Sequence, residues 1–84
     1  MSLAPRWHAP AEQDLLGIPW RDAAWISSVV NDLAEQGTGD VRRVVLSTGE
    51  RVFYLFLSGY RVVVTFDRPN SVVHVWRVFR TGRP

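Results

Sequence analysis

The sequence predicts an α+β fold: two N-terminal helices packed on one face of an antiparallel sheet of about four strands, with a short N-terminal edge strand beside it. Three observations predict it. Residues 51–80 hold three runs rich in Val, Phe, Tyr and Trp, punctuated by Ser58-Gly59 and by Asp67-Arg68-Pro69-Asn70. Such residues suit a pleated, half-buried surface. Residues 20–36 repeat apolar side chains at helical spacing instead. The whole chain is 84 residues, 46% of them hydrophobic, which is enough for one core and too little for two. Residues 1–84 are therefore read as a single domain.

In chain order, Pro5-Arg6-Trp7-His8 reads as the short edge strand. A helix over about 10–16 follows, with Pro10 near its start, Glu12 and Asp14 early and Gly17 after the last apolar residue. Asp14 and Glu12 are most simply helix-start charges. Ile18-Pro19 forces an extended residue and separates the helices. The second helix runs from Trp20 to about Gln36. Its stripe is Ala23, Ile26, Val30 and Leu33, widened by Val29, with Asp22, Asn31, Asp32 and Glu35 opposite. Trp20 and Trp25 flank the stripe and should cover its margins. Gly37 is placed to end the helix in a left-handed conformation.

Residues 41–47 form the next strand, linked by Thr48-Gly49-Glu50 to three more at 51–57, 60–66 and 72–79. Ser58-Gly59 makes a two-residue hairpin loop, because Gly accepts positive φ. That loop sets Leu57 opposite Tyr60, Leu55 opposite Val62 and Phe53 opposite Val64. With Phe66 these make an apolar face, so it is the core face. Tyr54, Phe56, Arg61, Val63 and Thr65 fall on the other side. Pairing Phe66 with Ser71 adds His74, Trp76 and Arg80 to that outer side, buries Val73 and Val75, and leaves Arg77 at the edge of the core face. The tail after Arg80 is too short for another helix and is read as flexible.

Charge is divided unevenly. Residues 1–40 carry six acids against two arginines, and residues 41–84 carry eight arginines against two acids. Lys is absent. Coding bias accounts for Arg in place of Lys, and leaves the clustering to be explained. A basic sheet suits a polyanionic partner, either nucleic acid or an acidic protein segment. The chain has no Cys, which excludes disulfides, thiol nucleophiles and Cys-based metal sites. Two histidines, His8 and His74, are too few to argue for zinc. No metal or cofactor is expected. No apolar run approaches the roughly 20 residues of a membrane helix, and the N-terminus lacks the apolar core of a signal peptide. The expected location is the cytoplasm.

Several pieces in order resemble the RelE/ParE family of bacterial toxins. They are Ala11-x-x-Asp14-Leu15 with Ile18-Pro19, then Ala24-x-Ile26 with Val30-x-x-Leu33-Ala34. Gly59-Tyr60-Arg61-Val62 enters a strand, and Val75-Trp76-Arg77-Val78 with Arg80 ends the sheet. The resemblance spans nearly the whole chain and rests on the set, since no piece is specific alone. It implies the toxin of a type II toxin–antitoxin system, neutralised by a cognate antitoxin. RelE-like members are ribonucleases that cut messenger RNA on the ribosome; ParE-like members inhibit DNA gyrase without nuclease chemistry. On the RelE-like side the resemblance implies Arg61 at the scissile phosphate and Arg80 as the basic residue of the last strand. His74 matches no family position, but its titration range suits acid–base work. Tyr54, Phe56 and Trp76 would stack bases, with Arg51 and Arg77 on the RNA backbone. The same aromatics also suit a protein contact. Nuclease members usually carry a Tyr or His beyond the last strand. Thr81–Pro84 supply neither, which leaves a weak nuclease, a gyrase-type inhibitor or a binding module sharing only the fold.

Overall fold

In the computed structural model, which describes residues 2–82, the elements follow the order β1 (Ala4–Trp7), α1 (Ala9–Leu16), α2 (Trp20–Gln36), β2 (Asp40–Val45), β3 (Arg51–Leu57), β4 (Tyr60–Asp67) and β5 (Val72–Arg80). The strands make one sheet in the order β1-β5-β4-β3-β2. β2 to β5 form the antiparallel meander, while β1 joins β5 in parallel, so the sheet is five-stranded and mixed. A parallel neighbour needs a crossover connection; here both helices and the whole meander intervene.

Local chemistry accounts for the element ends. Pro10 stands in the first turn of α1. Pro19 precedes α2, and Gly37 closes it at φ 73°, with its amide on the Leu33 carbonyl. β2 ends at Val45, two residues short of the expected strand, because Leu46 donates to the Glu50 carbonyl and the chain turns there. Gly39 carries the chain from α2 into β2 at φ 134°, and a Cβ there would lie 2.9 Å from Leu55 Cδ1.

Ile26, Val30, Leu33 and Ala34 of α2 lie buried with Leu55, Val62, Val64, Val73, Val75 and Val78 of the sheet. The β3–β4 pairing is as the hairpin loop dictates: Leu57 with Tyr60, Leu55 with Val62, Phe53 with Val64. Trp25 is partly covered, but Trp20 stays 74% exposed and covers nothing.

The β4–β5 pairing departs from the expected one. Phe66 pairs with Val73, not Ser71. Ser71 instead turns the chain at φ 56°, its amide on the Arg68 carbonyl. The shift is by two residues, so Val73 and Val75 still face the core and His74 still faces outward. A bulge then intervenes: Val64 pairs with Val75 and Val63 with Arg77, leaving Trp76 unpaired. One extra residue reverses which side each later residue takes. Arg77 therefore moves from the core edge to the outer face, opposite Val63. Arg80 moves the other way. It pairs with Tyr60 on the helix-covered side, its guanidinium 5.9 Å from the Tyr60 ring centre. The expected placement of Arg80 on the outer face is thus corrected. After Arg80, the Thr81 amide bonds to the Gly59 carbonyl. Of the tail read as flexible, Arg83 and Pro84 lie outside the described residues.

Two substitutions test this packing by urea denaturation. Ile26→Ala empties a fully buried site and should cost about 2–4 kcal/mol. Gly39→Ala meets both a positive φ and Leu55 and should cost about 1–3 kcal/mol.

Candidate functional site on the outer sheet face

The helices cover one side of the sheet and leave the other bare. β-Strand alternation sends Arg42, Tyr54, Phe56, Arg61, Val63, Thr65, His74 and Trp76 to the bare side, and the bulge adds Arg77 and Phe79. Parallel pairing sets Arg6 opposite His74, so Arg6 shares that side. The face resolves into two groups and a cavity between them.

The first group surrounds Arg61 near the β3–β4 hairpin. Its guanidinium stacks on Phe56, 4.0 Å from the ring centre, and Nη1 donates to the carbonyls of Leu57 and Tyr60 at 3.0 and 2.8 Å. Arg42 stacks on the same ring at 4.3 Å while pairing with Asp40. Tyr54 meets Phe79 edge to face at 5.7 Å. Phe56 is sandwiched between cations, so its ring offers little free face for a base. Tyr54 and Phe79 remain as apolar surface.

The second group lies at the β1–β5–β4 corner. His8 Nε2 and His74 Nδ1 are 2.8 Å apart. His8 stacks on Trp76 at 3.9 Å between ring centres and 10° between planes. Trp76 Nε1 donates to Thr65 Oγ1 at 2.8 Å, which ties the indole to β4. His74 Nε2 faces Asp67 Oδ2 at 3.6 Å. Asp67 is itself gripped by Asn70, whose side-chain amide donates to Oδ2 at 2.9 Å and whose backbone amide donates to Oδ1 at 3.3 Å. The Asn70 side chain is the main reason the Asp67 carboxyl sits below its ordinary pKa. Partial burial first, then the neighbouring His74 ring and Arg6, lower that of His8.

Between the groups lies a cavity of about 360 Å³, lined by Leu46, Glu50, Arg51, Val52, Val63, Thr65, Trp76 and Arg77. It is large enough for a nucleobase and is mostly apolar, as ligand sites usually are. Arg77 is anchored: Nε and Nη2 donate to the two carboxylate oxygens of Asp14 at 2.8 and 3.1 Å. Asp14 Oδ2 also accepts the Val78 amide at 2.8 Å. Asp14 is thus a tether between α1 and β5 and not the expected helix-start charge, since only Glu12 lies in the first turn of α1.

Arg61, Tyr54, Phe56, His74, Trp76, Arg51 and Arg77 all border this surface, and Arg80 does not. They do not converge on one point. His74 pairs with Thr65, four residues along β4 from Arg61, a span of about 13 Å at strand spacing. One phosphate cannot touch both. Sequence reasoning missed Arg6, His8, Thr65 and Asp67. Alternation along Pro5-Arg6-Trp7-His8 puts Arg6 and His8 on one side, but the sequence does not show that the parallel neighbour of this strand is the one carrying His74.

No protein-family model matches the chain, and no curated protein matches it. Solved structures do. A chain of the toxin–antitoxin complex RelBE2 from Mycobacterium tuberculosis matches with a TM-score of 0.85 at 19% identity, over 99% of this chain and 95% of that one. A chain of the archaeal RelE–RelB complex from Pyrococcus horikoshii matches with a TM-score of 0.79 at 16% identity, over 100% of both chains. At such identities the likeness is one of fold, and the fold is RelE-like.

The Asp14 tether has a pH signature. The Arg77 hydrogen bonds, then the Val78 amide, lower the Asp14 pKa in the folded state below its ordinary 3.8, against a smaller opposing effect of burial. A lowered folded pKa gives stability that is present above 3.8 and is lost as pH falls through the folded value. Asp14→Asn should cost about 1–2 kcal/mol at pH 7, discounted for the exposed arginine. It should also flatten the fall in stability below pH 4, measured by thermal melts across a pH series.

Proposed function

We propose that this protein is the toxin of a toxin–antitoxin pair and that it arrests growth by cutting messenger RNA on the ribosome. The observation that carries the reading is the uncovered sheet face. Guanidinium groups alternate there with aromatic rings around a base-sized cavity, in a fold shared with chains of two RelE–RelB-type complexes. Single-stranded RNA is held by this combination: cations follow the backbone while rings and apolar floors take the bases. The sheet half is the basic half of the chain.

The parts divide by position. The cavity beside Val52, Val63 and Trp76 takes one base, and Arg51 and Arg77 meet the flanking phosphates. Cutting needs positive charge on the phosphate and a group to accept the proton of the 2′-hydroxyl. The histidine corner supplies the acceptor. Arg61, about 13 Å away by strand spacing, holds the RNA backbone at a distance from the cut. A cognate antitoxin with an acidic segment would cover the same face, since aromatic area and cationic charge suit an amphipathic acidic peptide. The cell compartment that follows is the cytoplasm, where ribosomes and messenger RNA are.

One observation favours a second reading, a ParE-like inhibitor of DNA gyrase. Arg80 lies on the helix side, and Arg61 already serves two carbonyls and the Phe56 ring. The two arginines that the nuclease pattern implies, Arg61 and Arg80, therefore do not meet at one phosphate.

Induced expression separates the two. Primer extension on cellular messenger RNA should show codon-linked cuts within minutes of growth arrest. DNA-damage signalling without cuts supports the gyrase reading. Arg61→Ala removes a phosphate contact worth roughly 1.5–3 kcal/mol, so cutting should fall about tenfold or more. Tyr54→Ala should weaken growth inhibition likewise. Full toxicity in both variants would remove this face from the function.

A further inference from the structure

We infer that His8 is the base that takes the proton of the ribose 2′-hydroxyl, with His74 and Asp67 behind it as positioning residues. The inference rests on the ribonuclease reading above and names the group that does its chemistry.

Hydrogen-bond direction along the corner leads there. Asp67 is ionised and pinned by Asn70. Its carboxylate lies 3.6 Å from His74 Nε2, which favours the tautomer with the proton on that nitrogen. His74 Nδ1 is then an acceptor, and the 2.8 Å contact must be donated by His8 Nε2–H. That leaves the lone pair of His8 on Nδ1. This atom makes no capping bond to α1, although His8 is the residue before the helix. Nor is it a buried atom lacking a partner. It is therefore not sealed from solvent, on a ring stacked against Trp76. A base oriented by a second group, itself oriented by a carboxylate, is the arrangement that recurs wherever a hydroxyl must be activated.

The surroundings suit a phosphodiester. Arg6 precedes His8 by two residues on the same face of β1, is exposed, and has no ion pair among the described residues. Its planar fork matches a phosphate. The charged groups around His8 are Arg6 from β1, His74 from β5, Asp67 from β4 and, one turn into α1, the exposed Glu12. The lowered pKa of His8 keeps it neutral, and so able to accept, at neutral pH.

The step balances without a cofactor. The 2′-oxygen gives its proton to His8 Nδ1 and forms a bond to phosphorus. The bond from phosphorus to the 5′-oxygen breaks, and that oxygen takes a proton from solvent. His8 returns its proton to solvent. The products are a 2′,3′-cyclic phosphate and a 5′-hydroxyl end.

The test is the pH–rate profile of cutting on ribosome-bound messenger RNA, with wild type, His8→Gln and Asp67→Asn side by side. Wild type should leave cyclic phosphate ends and lose rate on acidification as His8 protonates. His8→Gln should cut at least about a hundredfold more slowly and lose that acid limb. Asp67→Asn should keep the limb and shift it to lower pH, because the carboxylate no longer favours positive charge along the chain of rings. A His8→Gln protein cutting at the wild-type rate overturns the assignment while leaving the ribonuclease reading intact. A wild-type protein that cuts nothing overturns both. Nitrogen chemical shifts of the wild-type imidazoles give a test independent of any variant: His8 protonated on Nε2 supports the inference, and His8 protonated on Nδ1 refutes it.

Discussion

Beyond Trp7 the edge of β5 has no strand beside it, and the Asp14 carboxylate supplies what a strand would have. β1 stops pairing at Val75, where the His8 amide donates to the Val75 carbonyl. The chain then leaves the sheet as α1. Just past that point β5 bulges at Trp76, and the Val78 amide is left facing the helix. A bare amide there would cost free energy comparable to a lost hydrogen bond. Asp14 accepts it and holds Arg77 with the same group. Helix, bulge and the arginine of the cavity are therefore one connected unit.

The bulge decides the composition of the outer face. Without it, Trp76 and Arg80 would share that face and Arg77 would point at the helices. With it, Trp76 and Arg77 stand side by side above Val63 and Thr65, and Arg80 is turned toward Tyr60. Tyr60 is fixed from the other layer: its hydroxyl donates to Asp22 Oδ2 at 2.6 Å, and that bond raises the tyrosine pKa. The two ends of the helical layer are thus tied to the sheet by carboxylates, Asp14 at β5 and Asp22 at β4. Two acids of the N-terminal half, Asp14 and Asp22, thus meet groups of the basic half within the chain.

Interior and exterior of the fold follow different rules, and so differ in how far they can be read. The hairpin loop at Ser58-Gly59, the stripe on α2 and the positive φ at Gly37 are local. Each depends on a few neighbouring residues, and each is as its residues imply. The placement of Arg61 on the uncovered side follows from the same hairpin. The register of β5 is not local. Ser71 could have joined the strand by pattern alone; the Asp67–Asn70 turn absorbed it. The bulge at Trp76 has no signature in Val-Trp-Arg-Val, because it is stabilised from outside β5, by Asp14 and Thr65.

The sequence by itself determined the layers, the core and the basic, aromatic character of the bare face, because alternation and helical period assign a side to each residue without knowledge of its neighbours in space. Only the tertiary structure decided which strand lies beside β5, which of its last residues face outward, and that His8 meets His74. Those are contacts between segments 63 or more residues apart in the chain. Their partners are chosen by what each strand edge leaves unsatisfied, and no short stretch of residues records that.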